Sequence, residues 1–213
     1  MFDDEITVNA SPITIDACID WYPFVAGVFD MGNFALKIGR SFMAYIFLKA
    51  VKGMTQATTA FGAAYSTNGV SVQLFGTLRE RVSAANGGMN VIAIGTAVAL
   101  ANCSLQGNYQ VEIGEEMNKV GYLDQYLGVP LIGINNVLVP GTTNTTATLA
   151  LPDDIIYIIP VGGVRPVKIV FEGDEVSVSF NPDMTSDRRY GISVEMRVGV
   201  EAVVGSKYGT IDL

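Results

Sequence analysis

Two pairs of neighbouring carboxylates, Glu115-Glu116 and Asp153-Asp154, have the right type to hold a divalent cation, which needs several hard oxygen ligands around one point. Adjacent side chains point different ways along a chain, so each pair reads more readily as a solvated turn. The stretch from Gly199 to Gly205, followed by Ser206 and Lys207, superficially resembles a phosphate-binding loop. Its glycines stand one residue too far apart, and the lysine follows the hydroxyl residue instead of preceding it, so the groups that cradle a phosphate fall in the wrong order. Gly87-Gly88 and Gly162-Gly163 could turn backbone amides toward an anion, but plain turn chemistry accounts for both. Trp21 beside Tyr22 could form a binding platform; an aromatic residue just before a long helix is expected instead to anchor in the core.

The chain has no histidine. That removes the commonest general base, the commonest zinc ligand and every Ser-His or Cys-His arrangement. Cys18 and Cys103 lie far apart in apolar surroundings and are expected to be buried free thiols, since two cysteines make neither a disulfide framework nor a metal-ligand set. The expectation is therefore no catalytic, cofactor-binding or metal-ligating residue, no cofactor, and a binding or structural role in place of an enzymatic one.

Composition narrows the class further. The 213 residues are 49% hydrophobic with a mean hydropathy of +0.36, which can fill a substantial core. The net charge is -8, and the 13 Lys and Arg are scattered singly apart from the pair Arg188-Arg189, so no basic stripe exists to grip nucleic-acid phosphates. The amino terminus, Met-Phe-Asp-Asp-Glu, is acidic where a signal peptide would be basic and then apolar; the chain is expected to stay in the cytoplasm. The uncharged stretch from Val82 to Val111 is interrupted by Asn86, Gly87, Gly88, Asn90, Asn102 and Gln106, and no membrane span is expected. Asn9, Asn102 and Asn144 match the glycosylation pattern, which means little without export.

The elements that would carry these residues can be read from periodicity. Thr7 to Ile15 reads as extended. From an N-cap at Asp30, Met31, Phe34, Ala35, Ile38, Phe42, Tyr45 and Ile46 recur at helical spacing, with Leu36, Met43, Phe47, Val51 and Met54 as a second stripe, so a helix of about six turns is expected, covered on more than one side. The Thr-, Ala- and Gly-rich stretch from Thr55 to Gly69 reads as a loop. A shorter helix carrying Val72, Phe75, Leu78 and Val82 stops at Asn86-Gly87-Gly88; a buried strand, Asn90 to Ile94, and a helix capped by Thr96, Ala97 to Cys103, follow.

The remainder reads as β-rich. Val129 to Ile134 is a strand, Pro140 to Thr148 a polar loop, and Ile155 to Ile159 a strand ended by Pro160. Glu172-Gly173-Asp174 reads as a tight hairpin turn joining Val164 to Phe171 with Glu175 to Phe180, where Val176, Val178 and Phe180 alternate with polar residues. Tyr190 to Val204 alternates Ile192, Val194, Met196, Val198 and Val200 against Ser193, Glu195, Arg197 and Glu201, the mark of an antiparallel strand with one wet face. The expected fold class is α+β, with a β-rich tail folding back onto the long helix and an α/β block inserted between.

Several consecutive segments resemble the major capsid proteins of tailed bacteriophages, the Hong Kong-97 type fold also used by encapsulin shells. Ile13 to Met54 is similar to the return from the extended E-loop followed by the spine helix of the peripheral (P) domain. Leu78 to Leu100 is similar to the helix, turn, strand and helix of the axial (A) domain. Gly121-Tyr122-Leu123-Asp124-Gln125-Tyr126-Leu127-Gly128-Val129-Pro130-Leu131-Ile132 resembles the family's passage of tyrosine, spacer, glycine, apolar residue and proline. Leu151 to Val161, Lys168 to Gly173 and Arg189 to Tyr208 resemble the return to the P domain.

The resemblance implies three segments: residues 1–55 as an E-loop remnant and spine helix, 56–150 as the A domain, and 151–213 as the P-domain β layer and terminal strand. It also departs from the family pattern, in which an N-terminal arm and both limbs of the E-loop come first; here only Phe2 to Pro12 precedes the P-domain segment. The implied role is a structural subunit of an icosahedral phage shell, self-assembling into pentamers and hexamers and enclosing double-stranded DNA without sequence-specific contact. Scaffold, protease, portal and cement proteins are the further partners implied, with assembly in the host cytoplasm and a final place in the virion. The acidic balance is explained first by ordinary solubility, and it also suits a surface lying beside packaged DNA. Thr55 to Gly69 and Pro140 to Thr148 are the loops expected to meet around capsomer axes. The alternatives are an encapsulin-type compartment holding protein cargo, a small-molecule α/β enzyme, and a tail or adhesin β module, the last disfavoured by the long helix.

Overall fold

Asp30 starts the longest element as its sequence predicts: its carboxylate accepts from the backbone N–H groups of Gly32 (2.9 Å) and Asn33 (3.2 Å), which have no partner inside the helix. The computed structural model describes residues 7–28, 30–104, 120–139, 145–163, 165–180, 189–202 and 205–213. Its elements begin with strand Ser11–Asp20 (β1), the short helix Trp21–Val25 (α1) and the long helix Met31–Phe61 (α2). A 3-10 turn, strand Ser66–Asn68 (β2), helix Val72–Ala85 (α3), strand Val91–Gly95 (β3) and helix Ala97–Ser104 (α4) follow. Strands Gln125–Tyr126 (β4), Val129–Gly133 (β5), Ile155–Pro160 (β6), Val167–Phe171 (β7), Val176–Phe180 (β8), Arg189–Ala202 (β9) and Gly209–Asp212 (β10) complete the described chain.

The helix is longer than its apolar pattern suggests, and the Thr55 to Gly69 loop expectation is overturned. Threonine normally competes with helix by bonding the local backbone. Here the hydroxyls of Thr55, Thr58 and Thr59 donate to the carbonyls of Val51, Met54 and Thr55, one turn back, so each bond is made inside the helix. Ala57 and Thr58 are buried, which adds a tertiary reason for the turn to persist. The helix ends at Gly62 (φ +85°), and Ser66–Asn68 then pairs in parallel with β10.

Two sheets flank this helix. In the first, β1 pairs antiparallel with β9 over ten consecutive residues, and β7 and β8 both pair with the other edge of β9. Ile13, Val194 and Val198 pack there against Ile38, Phe42 and Ile46 of α2. The second sheet has the order β2-β10-β6-β3-β5-β4 and encloses the largest core, with Phe75, Leu78, Val82, Ala93, Leu100 and Ile158 among its members. Val51, Leu151 and Tyr157 form a third cluster that joins the helix to the second sheet.

The strand pairings differ from the sequence expectation in two places. The limits 56–150 and 151–213 do not coincide with the sheets, because β6 and β10 both lie in the second sheet, alongside β3 and β2. The run Ile-Ile-Tyr-Ile-Ile has the near-continuous apolar character of a strand covered on both faces, and it sits between two neighbours. Nor is Glu172-Gly173-Asp174 a hairpin turn. The registers Phe171↔Val198 and Val176↔Glu195 run in the same sense, so β7 and β8 are one strand interrupted by residues 172–175 opposite 196–197. At 14 residues, β9 is long enough to pair with both pieces end to end, and Gly173 at φ +76° makes the bulge.

Candidate functional site

Among the described residues, the candidates for chemistry are not brought together. Asp153 and Asp154 are exposed at the turn before β6, where the Asp154 carbonyl accepts from the Leu213 N–H (2.8 Å). Glu115 and Glu116 lie outside the described residues. Gly87 and Gly88, at φ +73° and +81°, close the end of α3 by donating to Ala84 and Ser83 carbonyls, which is a capping role. Lys207 sits over the Phe61 ring, its Nζ 4.4 Å from the ring centre, and so is turned toward the end of α2. Two expectations fail outright: Trp21 and Tyr22 are exposed instead of anchored in the core, and Cys18 is exposed on β1. The reason for Cys18 is strand parity, since Ile13, Ile15 and Ala17 take the helix-facing side and leave Thr14, Asp16 and Cys18 the other. Cys103 is buried as expected, and burial pushes its thiol up to about 12. Among the described residues no group of acids, cysteines or histidines could hold a metal ion, and no helix is long and apolar enough to cross a membrane.

What the arrangement does show is a stiff joint and an uncovered rim. The first half of α2 lies against the first sheet and its second half against the second sheet. Two tyrosines pin that second half: the Tyr157 hydroxyl bonds Thr55 Oγ1 (3.0 Å) and the Tyr208 hydroxyl donates to the Met54 carbonyl (2.8 Å). Burial raises the pKa of both phenols. A helix held by these hydroxyls and packed into clusters on both sheets resists bending between them.

The rim lies along β7 and β8. Cross-strand partners share a face, so Val176 opposite Glu195 and Val178 opposite Ser193 point away from α2, while Ser177 opposite Val194 points toward it. An apolar row therefore faces outward, with Val176 and Val178 57% and 52% exposed. Beside it, Glu172, Asp174, Glu195 and Arg197 line a cleft of about 300 Å³. On the helix side, a trough of about 690 Å³ runs between α2 and this same edge, lined by Phe42, Met43, Phe171, Ile192 and Met196 among others. Alternation made Val176, Val178 and Phe180 visible in the sequence as one face of a strand, but not that the face is solvent-exposed.

The structure thus leaves an apolar row of β8 exposed beside a helix that packs on both sheets. The sequence matches the model of the family described as "SPbeta prophage-derived putative capsid protein YonB" over residues 3–212. The chain belongs to that capsid-protein family. No curated protein matches the capsid protein in sequence. Among solved structures, the capsid of a native GTA particle is 12% identical with a TM-score of 0.65, covering 99% of this chain and 74% of that one. The capsid of Cyanophage P-SCSP1u is 8% identical with a TM-score of 0.62, covering 96% and 72%. The SrpI encapsulin of Synechococcus elongatus PCC 7942 is 11% identical with a TM-score of 0.50, covering 95% and 73%. The fold is the Hong Kong-97 type α+β capsid fold. The capsid protein is thus a structural subunit and not an enzyme, it associates with copies of itself into a shell, and its place is the virion.

Proposed function

We propose that copies of this chain group into pentamers and hexamers and close an icosahedral shell around double-stranded DNA. The observation that carries this reading is the shared helix: α2 contributes to the cluster on the first sheet and to the one that joins it to the second sheet, so each subunit is a stiff plate, and modest contacts between stiff plates sum to a stable cage. In this reading α2 and the four-stranded sheet form the P domain, β1 is the returning limb of the E-loop, and the six-stranded sheet with α3 and α4 forms the A domain. The boundaries expected from the sequence then shift by the transfer of β6 and β10 to the A domain. The DNA is held by enclosure, in keeping with a net charge of -8. Scaffold, protease, portal and cement proteins are the partners such a shell would meet, with assembly in the host cytoplasm.

The encapsulin neighbour supports a second reading, a compartment filled with protein cargo. Expression of the full chain followed by negative-stain electron microscopy and analysis of particle contents tests both. Closed particles containing DNA after packaging support the phage shell, particles filled with a co-purifying enzyme support the compartment, and a chain that never forms closed particles overturns both.

A further inference from the structure

We propose that the outward face of the β7–β8 edge receives the exposed stripe of α2 from a second copy of this chain. The inference rests on the shell-subunit reading and names one contact within it. The edge supplies an uncovered apolar row, Val176 and Val178, next to a cleft holding Glu172, Asp174 and Glu195. The one cation in the cleft, Arg197, is turned to Glu172 at 3.5 Å, and Asp174 and Glu195 make no ion pair among the described residues. Helix α2 is the complement in both respects. Its 31 residues carry four basic side chains and no acidic one, in a chain of net charge -8. Leu36, Arg40 and Met43 stand at i, i+4 and i+7, one exposed stripe of apolar, cationic and apolar groups, with Lys37 beside it. Arg40 and Lys37 likewise make no ion pair among the described residues.

A chain cannot make this contact with itself. Its own α2 packs against Val194 and Val198, on the opposite face of the sheet from Val176 and Val178. Only another copy's helix can reach the outward face, and copies of this chain are what a shell subunit meets. The two surfaces differ, so the contact is head-to-tail, and repeating it forms a ring where the rotation closes. Opposite charge sets the register of the helix on the strand, and the apolar row excludes water around it.

The test is a charge exchange in the full chain. Arg40→Glu and Asp174→Arg are each expected to lower the assembled fraction by about tenfold or more, by placing like charges across the contact. Both residues are exposed, so the thermal midpoint of the soluble subunit should stay at the wild-type value. The combined variant should regain most of the assembly, because its two reversed charges again oppose. Single reversals that assemble as the wild type does, or a combination no better than its parts, overturn this contact while leaving the shell reading intact. A wild-type chain that forms no particles overturns the shell reading and this contact with it.

Discussion

At Gly209 the approach of β10 to α3 leaves no room for a side chain: a Cβ there would sit 2.8 Å from Leu78 Cδ1 and 2.9 Å from Cγ, and Leu78 is itself buried. Gly209→Ala is expected to cost about 1–3 kcal/mol through overpacking, read as a lower thermal midpoint. An unchanged midpoint would mean that α3 can move away without loss. Cys103 gives a second residue-scale test. Its thiol ionises at 9.0 in an ordinary setting and is pushed up to about 12 in the folded chain, because burial penalises the thiolate. The folded state therefore holds a proton that the unfolded state releases, and stability is full below about pH 9 and falls as pH rises toward 12. Tyr157 and Tyr208, whose pKa values are also raised by burial, act in the same direction. Urea midpoints from pH 8 to 11 should decline, and Cys103→Ala should make the decline shallower; an equally steep profile in the variant would assign the effect to other groups. The histidine-free composition was legible from the sequence and excluded the commonest catalytic arrangements, whereas the exposure of Cys18 was not, because parity on a strand depends on which face the helix takes.

At the scale of elements, the helix start was legible and its end was not. Asp30→Ala is expected to cost about 1 kcal/mol, since two amides lose their acceptor, and a thermal melt reads it directly. The far end of α2 depends on contacts remote in sequence: Thr55 bonds a tyrosine 102 residues away, and Met54 accepts from one 154 residues away. Local composition in Thr55 to Gly69 favours a loop, and tertiary bonds decide for helix. Tyr157→Phe should remove about 1 kcal/mol of stability and speed amide exchange over residues 55–61 more than over 34–46. Uniform exchange along the helix would show that the hydroxyl does not pin its end. The interrupted strand β7–β8 teaches the same lesson, for Gly173 permits either a hairpin or a bulge and the length of β9 selects the bulge.

At the scale of the molecule, one helix serves two cores, so the lobes should not melt apart. At 31 residues α2 is roughly 46 Å long, and β9 at 14 residues is roughly 47 Å, so the brace and the longest strand are matched in length. Calorimetry should give a single transition, and Phe42→Ala, in the core of the first sheet, should lower that whole transition by about 3–5 kcal/mol. Two separated transitions, only one of them shifted, would refute the shared brace.

The sequence alone determined the α+β class, the capped long helix, the buried strand before α4, the alternation of β9 and the absence of histidine. Each of these is set by periodicity or residue type within a few turns of chain. The membership of β6 and β10 in the second sheet, the persistence of helix through Thr55 to Phe61 and the outward turn of Val176 and Val178 were decided only by tertiary structure. Those outcomes depend on which distant strand supplies the hydrogen-bonding partner, and a one-residue change of register exchanges the faces of a strand without altering its pattern.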